Sequence, residues 1–202
     1  MDEQADVVEA AWVAHGTTGT RLISHDYGVS VAQELLARSG ITITEAVFLN
    51  GGLFPDLHHP TRMQKLVAGP LGPLMARLAN EKTYSRGLQE VMNKPPSAEE
   101  LHQHWLATSR DGGKLVLPNL LGYIKERRAN EERWVGALTG TPEVPKRFVW
   151  GPEDPVSGAH VLPEIRSRVP EADVHVIEGV GHWPQLEDVA GVAAALRLRP
   201  SG

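Results

Sequence analysis

Cysteine is absent from the 202 residues. Disulfides, thiol nucleophiles and thiolate metal sites are excluded with it. Aromatic residues are scarce, at 5%, so each one beside a polar motif is informative. No apolar run approaches the roughly 18 residues needed to cross a bilayer. The opening Met1-Asp2-Glu3-Gln4 is acidic where a targeting segment is basic. A positive excess is missing too: 20 Lys+Arg stand against 25 Asp+Glu, a formal charge of -5. That balance offers no electrostatic footprint for nucleic acid. A hydrophobic share of 41% and a charged share of 22% fit a globular chain. The expectation is one cytoplasmic domain carrying an insertion, without cofactor, metal or nucleic-acid partner.

Four short apolar runs are present, at 21–24, 46–49, 146–150 and 173–177. Each closes on a turn: His25-Asp26-Tyr27-Gly28, Asn50-Gly51-Gly52, Gly151-Pro152 and Glu178-Gly179. Val29, Ala32, Leu35 and Leu36 follow the first run at helical spacing. Val7, Val8, Ala11 and Trp12 predict an amphipathic helix over 2–15, and 186–196 predicts another. Strands alternating with helices indicate an α/β fold with a mostly parallel sheet. A helical insertion over 53–141 separates a first core segment, 1–52, from a second, 142–202. Gly69 to Pro73 and Lys94 to Ser97 interrupt it, and Ser97 with Glu100 forms a capping box. Arg127/Glu131 and Arg128/Glu132 are spaced i,i+4, which predicts a solvated charged face on one helix.

The informative segment is Ser24-His25-Asp26-Tyr27-Gly28, between a strand and a helix. A nucleophile elbow turns so sharply that small residues flank the nucleophile two positions away on each side. Centred on Asp26 the flanking residues are Ser24 and Gly28, and the pattern holds. Centred on Ser24 they are Leu22 and Asp26, and it fails. Alone, Asp26 reads equally well as a helix N-cap. A carboxylate nucleophile is ionised at neutral pH and needs no base to activate it. It suits displacement at saturated carbon and leaves an ester that activated water must cleave. Asp154 follows the third strand and His182 the fourth, both just past strand ends, where α/β sheets gather their site residues. The chain order is nucleophile, acid, histidine. The acid orients the histidine and stabilises its charged form. Glu153 is an adjacent rival for the acid.

These motifs resemble the α/β-hydrolase superfamily, in the branch of epoxide hydrolases and haloalkane dehalogenases. The carrying segments are LISHDYG (22–28), VAQELLAR (31–38), LNGGLFP (49–55), YSRGL (84–88), ERWVGAL (132–138), GPEDPV (151–156) and GHWPQLED (181–188). Those in the insertion are most similar to the mesoderm-specific transcript protein subgroup. The resemblance implies an α/β-hydrolase fold with 53–141 as a helical cap. It implies catalysis by Asp26, Asp154 and His182 on a small apolar substrate and water. Tyr27 stands where the branch typically has a tryptophan that holds the leaving halide, which counts against dehalogenation. Its backbone N–H would be an oxyanion donor. Tyr84 and Tyr123 are the only tyrosines in the cap, and so the candidates to protonate an epoxide oxygen. The family's strands ahead of the nucleophile strand, with their His-Gly oxyanion loop, have no counterpart here. The expectation is therefore an N-terminally truncated hydrolase. A non-catalytic binding module of the same fold, a dehalogenase and an esterase are the alternatives. His58-His59 and His102-x-His104 lack a third metal ligand and read as exposed histidines, and Trp105 reads as helix core. The oligomeric state is not legible.

Overall fold

The computed structural model describes residues 1–38 and 40–197. Four parallel strands form one sheet in the order β1-β2-β3-β4: β1 Gly19–Ser24, β2 Thr42–Leu49, β3 Lys146–Trp150 and β4 Asp173–Val176. Helix α1 (Asp2–Ala14) precedes β1, and α2 (Tyr27–Ala37) joins β1 to β2. Between β2 and β3 lie α3 Arg62–Val67, α4 Gly72–Leu78, α5 Glu81–Gln89, α6 Ala98–Ser109, α7 Leu117–Leu120, α8 Tyr123–Ala129 and α9 Glu131–Gly140. After β3 come α10 Leu162–Arg168, α11 Pro184–Glu187 and α12 Val189–Ala195. Every parallel crossover is thus helical, as the alternating pattern predicts.

The central strands bury both faces, as parallel strands between helices must. Ala46 and Phe48 of β2, with Phe148 and Trp150 of β3, pack on Val29, Ala32 and Leu36 of α2, Leu138 of α9 and Ile165 of α10. Val47, Leu49 and Val149 face the other way, onto Val192, Ala195 and Leu196. Phe48 pairs with Phe148 in register, and their rings stack 5.3 Å apart.

Three expectations are corrected at the level of elements. The final helical stretch is two helices, because Asp188 leaves the helical region and caps the second through the Gly191 N–H. The pairs Arg127/Glu131 and Arg128/Glu132 do not share a helix, since the chain breaks at Asn130 between α8 and α9. Arg127 is only 2% exposed and belongs to the interior rather than to a solvated face. The apolar side of α1 is largely uncovered, with Val7 and Val13 exposed and Ala5 its one buried residue. No helix among the described residues is long and apolar enough to cross a membrane.

Candidate active site

All the polar side chains singled out in the core sit beyond the carboxyl ends of strands. Asp26 follows β1 and stands at the N-cap of α2 with φ 46° and ψ -111°. That left-handed backbone is costly for a residue with a β-carbon and persists only where its surroundings enforce it. Here the Asp26 N–H donates to the Asn50 carbonyl (2.9 Å) and its carbonyl accepts from the Val29 N–H (3.1 Å). The crowding is at Gly51 rather than at Gly28. A β-carbon at Gly51 would lie 3.0 Å from the Asp26 carbonyl oxygen and 2.7 Å from Val29, whereas one at Gly28 would find ordinary space.

His182 lies between two carboxylates. Its Nδ1 is 2.8 Å from Asp154 Oδ2, and its Nε2 is 3.6 Å from Asp26 Oδ1, longer than a hydrogen bond. Asp154 is buried and saturated: it accepts from the Val156 N–H (2.7 Å), the Ser157 hydroxyl (2.6 Å) and Asn50 Nδ2 (3.1 Å). Burial would raise its pKa, but His182, the Ser157 hydroxyl and the Val156 N–H outweigh it and hold the carboxyl at about 2. Glu153 is exposed and offers no side-chain contact to His182; only its N–H is engaged, on the Val180 carbonyl. For His182, burial lowers the pKa, but the hydrogen bond to Asp154 and the negative charge of both aspartates raise it to about 10. Asp26 is likewise held below its ordinary value: burial opposes ionisation and is outweighed by His182.

The Asp26 side chain remains 38% exposed and opens onto a cavity of about 430 Å³ beneath the insertion. Asp26 and His182 line it together with the apolar side chains of Met63, Val67, Leu88, Val91, Trp105 and Trp183. Trp105 thus faces the cavity instead of filling a helix core, 5.7 Å from the Tyr84 ring. Tyr84 also lines the cavity, and its hydroxyl accepts from Thr108 Oγ1 at 3.0 Å. Tyr123 is buried against the Tyr27 ring, 5.2 Å away edge-on, and beneath the Arg127 guanidinium at 5.0 Å. Burial, then the neighbouring Asp26 carboxylate, push its hydroxyl above the ordinary tyrosine range. Tyr27 opens α2, and burial raises its pKa too.

Among the described residues no three His, Cys, Asp or Glu side chains cluster as metal ligands. His102 meets Glu81 at 2.9 Å, and His59 stacks on His160 at 4.4 Å. His58 is not an exposed histidine at its nitrogens: both are buried without a partner. Burial, then Arg127, push its pKa down to about 4. Asn50, Ser157, Glu187 and His25 surround the site, and the sequence motifs assign none of them a role. His25 Nε2 lies 2.7 Å from the His182 carbonyl oxygen, and its ring is 4.6 Å from that of Trp183. The one available signal was Asn50, a polar residue closing a buried strand immediately before two glycines.

A family profile described as the alpha/beta hydrolase family matches residues 2–195. The chain belongs to the α/β-hydrolase family. It is 41% identical over 203 residues to the mesoderm-specific transcript homolog protein of Homo sapiens, covering 94% of this chain and 60% of that protein. A putative hydrolase, LipZ, of Mycobacterium tuberculosis is 37% identical over 205 residues, covering 97% of this chain and 70% of that protein. The chain thus spans about 60% of the length of the mesoderm-specific transcript relatives. Among solved structures, an α/β hydrolase fold protein from Burkholderia ambifaria superposes with a TM-score of 0.76 at 17% identity, over 98% of this chain and 72% of that one. The haloalkane dehalogenase DatA from Agrobacterium tumefaciens superposes with a TM-score of 0.75 at 17% identity, over 96% and 70%. These two share the fold with this hydrolase-family chain.

Proposed function

We propose that this α/β-hydrolase chain uses Asp26 as a nucleophile on a small apolar electrophile, an epoxide above all. His182 serves as the base and Asp154 as its orienting acid. The core is 1–52 with 142–202, and 53–141 is the cap. The observation that carries this reading is His182 held between Asp154 and an elbow aspartate whose carboxylate opens onto an apolar cavity.

In the first step an Asp26 oxygen attacks an epoxide carbon, and the C–O bond breaks. The alkoxide takes a proton from a tyrosine hydroxyl. Tyr84, on the cavity wall, and Tyr123, beside Asp26, are the two donors at hand. In the second step His182 takes a proton from water, which attacks the Asp26 ester carbonyl. The diol leaves with the proton that His182 returns; the carboxyl formed at Asp26 gives up the second proton of the water, which restores the tyrosine hydroxyl, and Asp26 is regenerated as the carboxylate. The step depends on charge. In the resting protein both aspartates keep His182 protonated. Esterification removes the Asp26 charge, so the imidazole becomes a base only once the ester exists.

The test is single turnover with an epoxide panel, followed by mass spectrometry. An adduct on Asp26 is expected that accumulates in His182→Ala and never forms in Asp26→Asn. No adduct with any substrate would sink the reading. Tyr27 in the place of the leaving-halide tryptophan favours a second reading, a binding module without turnover. Ligand binding indifferent to Asp26→Asn, with no product formed, is its expected signature.

A further inference from the structure

A single carboxylate bridges the loop that carries His182 and the insertion. Glu187 Oε2 accepts three backbone N–H groups: Asn93 (2.8 Å) and Lys94 (2.9 Å) from the insertion, and Gly181 (2.9 Å) from the histidine loop. Its Oε1 accepts a fourth, from Trp183, at 3.1 Å. Around this hub the two segments interlock. The His182 N–H donates to the Val91 carbonyl (2.9 Å), and Asn93 Nδ2 donates to the Gly179 carbonyl (2.8 Å). Gly181 has no room for a side chain, because a β-carbon there would lie 2.7 Å from the Val91 oxygen and 2.9 Å from the Asn93 nitrogen. Hydrogen bonds to an ionised acceptor are roughly twice as strong as neutral ones. One side chain therefore holds amides on both flanks of His182 and on the segment that leads into the cavity wall at Val91.

We propose that Glu187 is the positioning residue that seats His182 against the insertion, so that cleavage of the Asp26 ester depends on the insertion being docked. The proposal rests on the reading of Asp26 and His182 given above. Ester formation needs only the ionised Asp26 and a proton donor. Ester cleavage needs the His182 nitrogen within reach of one water. A misplacement of about 1 Å can cost such a step roughly 100-fold. Loss of Glu187 therefore divides the two half-reactions, which a general loss of stability would not do.

The experiment follows adduct formation and decay separately, by rapid quench and intact-mass measurement with styrene oxide, in the full chain. Glu187→Ala is expected to form the adduct within about threefold of the wild-type rate and to lose it at least about tenfold more slowly. Glu187→Gln keeps one carbonyl acceptor and is expected to fall between the two, which covers the case that the alanine variant does not fold. Equal slowing of both steps, or no change in either, would overturn the proposal. A second readout needs no substrate: the low-field proton resonance of the His182–Asp154 hydrogen bond. It is expected to broaden or vanish in Glu187→Ala and Glu187→Gln while the melting curve stays cooperative. If wild type forms no adduct, the Asp26 reading fails, and Glu187 is judged on that resonance alone. A resonance as sharp as in wild type overturns its role; a lost one upholds it.

Discussion

Asn50 shows how single side chains join elements that the sequence keeps far apart. Its backbone carbonyl accepts from Asp26, its amide Nδ2 donates to Asp154 and to the Gly151 carbonyl, and its Oδ1 accepts from the Gly151 N–H. The elbow and the acid loop are therefore registered by one buried amide. The charges set a pH dependence. Asp26 stays ionised through the neutral range, so ester formation is expected to be flat from about pH 6 to about pH 9. Ester decay needs neutral His182 and is expected to rise with pH, with a midpoint below the resting value of about 10, because the ester no longer carries the Asp26 charge. Rapid-quench rates across this range check it; a midpoint shared by both steps would contradict it. Stability has the corresponding limbs. The raised His182 pKa contributes fully below its ordinary 6.5 and is lost as pH rises through about 10. The lowered Asp154 pKa contributes above its ordinary 3.8 and is lost as pH falls through about 2. Asp26, Asp154 and His182 were legible in the sequence because each sits in a short turn just after an apolar run. Asn50 and Glu187 were not, since all their partners but the Asp154 carboxylate are backbone groups, which have no sequence signature.

Helices α2 and α9 meet through a buried carboxylate. Glu34 accepts from Arg38 Nε (2.8 Å), from Arg133 Nε and Nη2 (2.8 Å each) and from the Trp134 indole N–H (2.7 Å). Hydrogen bonding to Arg133, reinforced by Arg38 and Trp134, overcomes burial and holds its pKa at about 2. Two segments recognised separately, VAQELLAR and ERWVGAL, are thus halves of one contact between core and insertion. Glu34→Ala strands a buried indole N–H and takes the carboxylate from Arg133, while Arg38 keeps Asp6 and Glu9. The expected loss is about 2–3 kcal/mol, below the roughly 3–5 of fully buried pairs because Arg133 is half exposed. Denaturant unfolding at neutral pH measures it, and a loss under about 0.5 kcal/mol would place the helix contact elsewhere. The same contribution is present above the ordinary glutamate pKa of 4.5 and lost as pH falls through about 2. Helix α8 was misread as continuous with α9 because i,i+4 spacing records only periodicity. Arg127, within α8 ahead of the break at Asn130, points inward, and its Nε and Nη1 have no partner.

At the scale of the molecule, β1 pairs only with β2 among the described residues, although it carries the elbow. Its Ile23 is 46% exposed, and Val7 and Val13 of α1 are exposed as well. An open strand edge with apolar side chains is a template for pairing with another chain. The 202-residue chain is expected to associate with rising concentration, and Ile23→Lys to shift it toward monomer in sedimentation velocity. Association unchanged by that substitution would place the contact elsewhere. The layered α/β architecture was readable from the sequence, because apolar runs between helical periodicities leave few ways to bury both faces of a strand. Its motifs also placed Asp26, Asp154 and His182 at strand ends. The inward turn of Arg127 and the opening of Trp105 onto a cavity came from elsewhere. Each depends on which side a backbone presents at a loop or helix break, and that direction is set by packing between segments distant in the chain. Periodicity reports burial along one element; only the meeting of elements reports what a buried group faces.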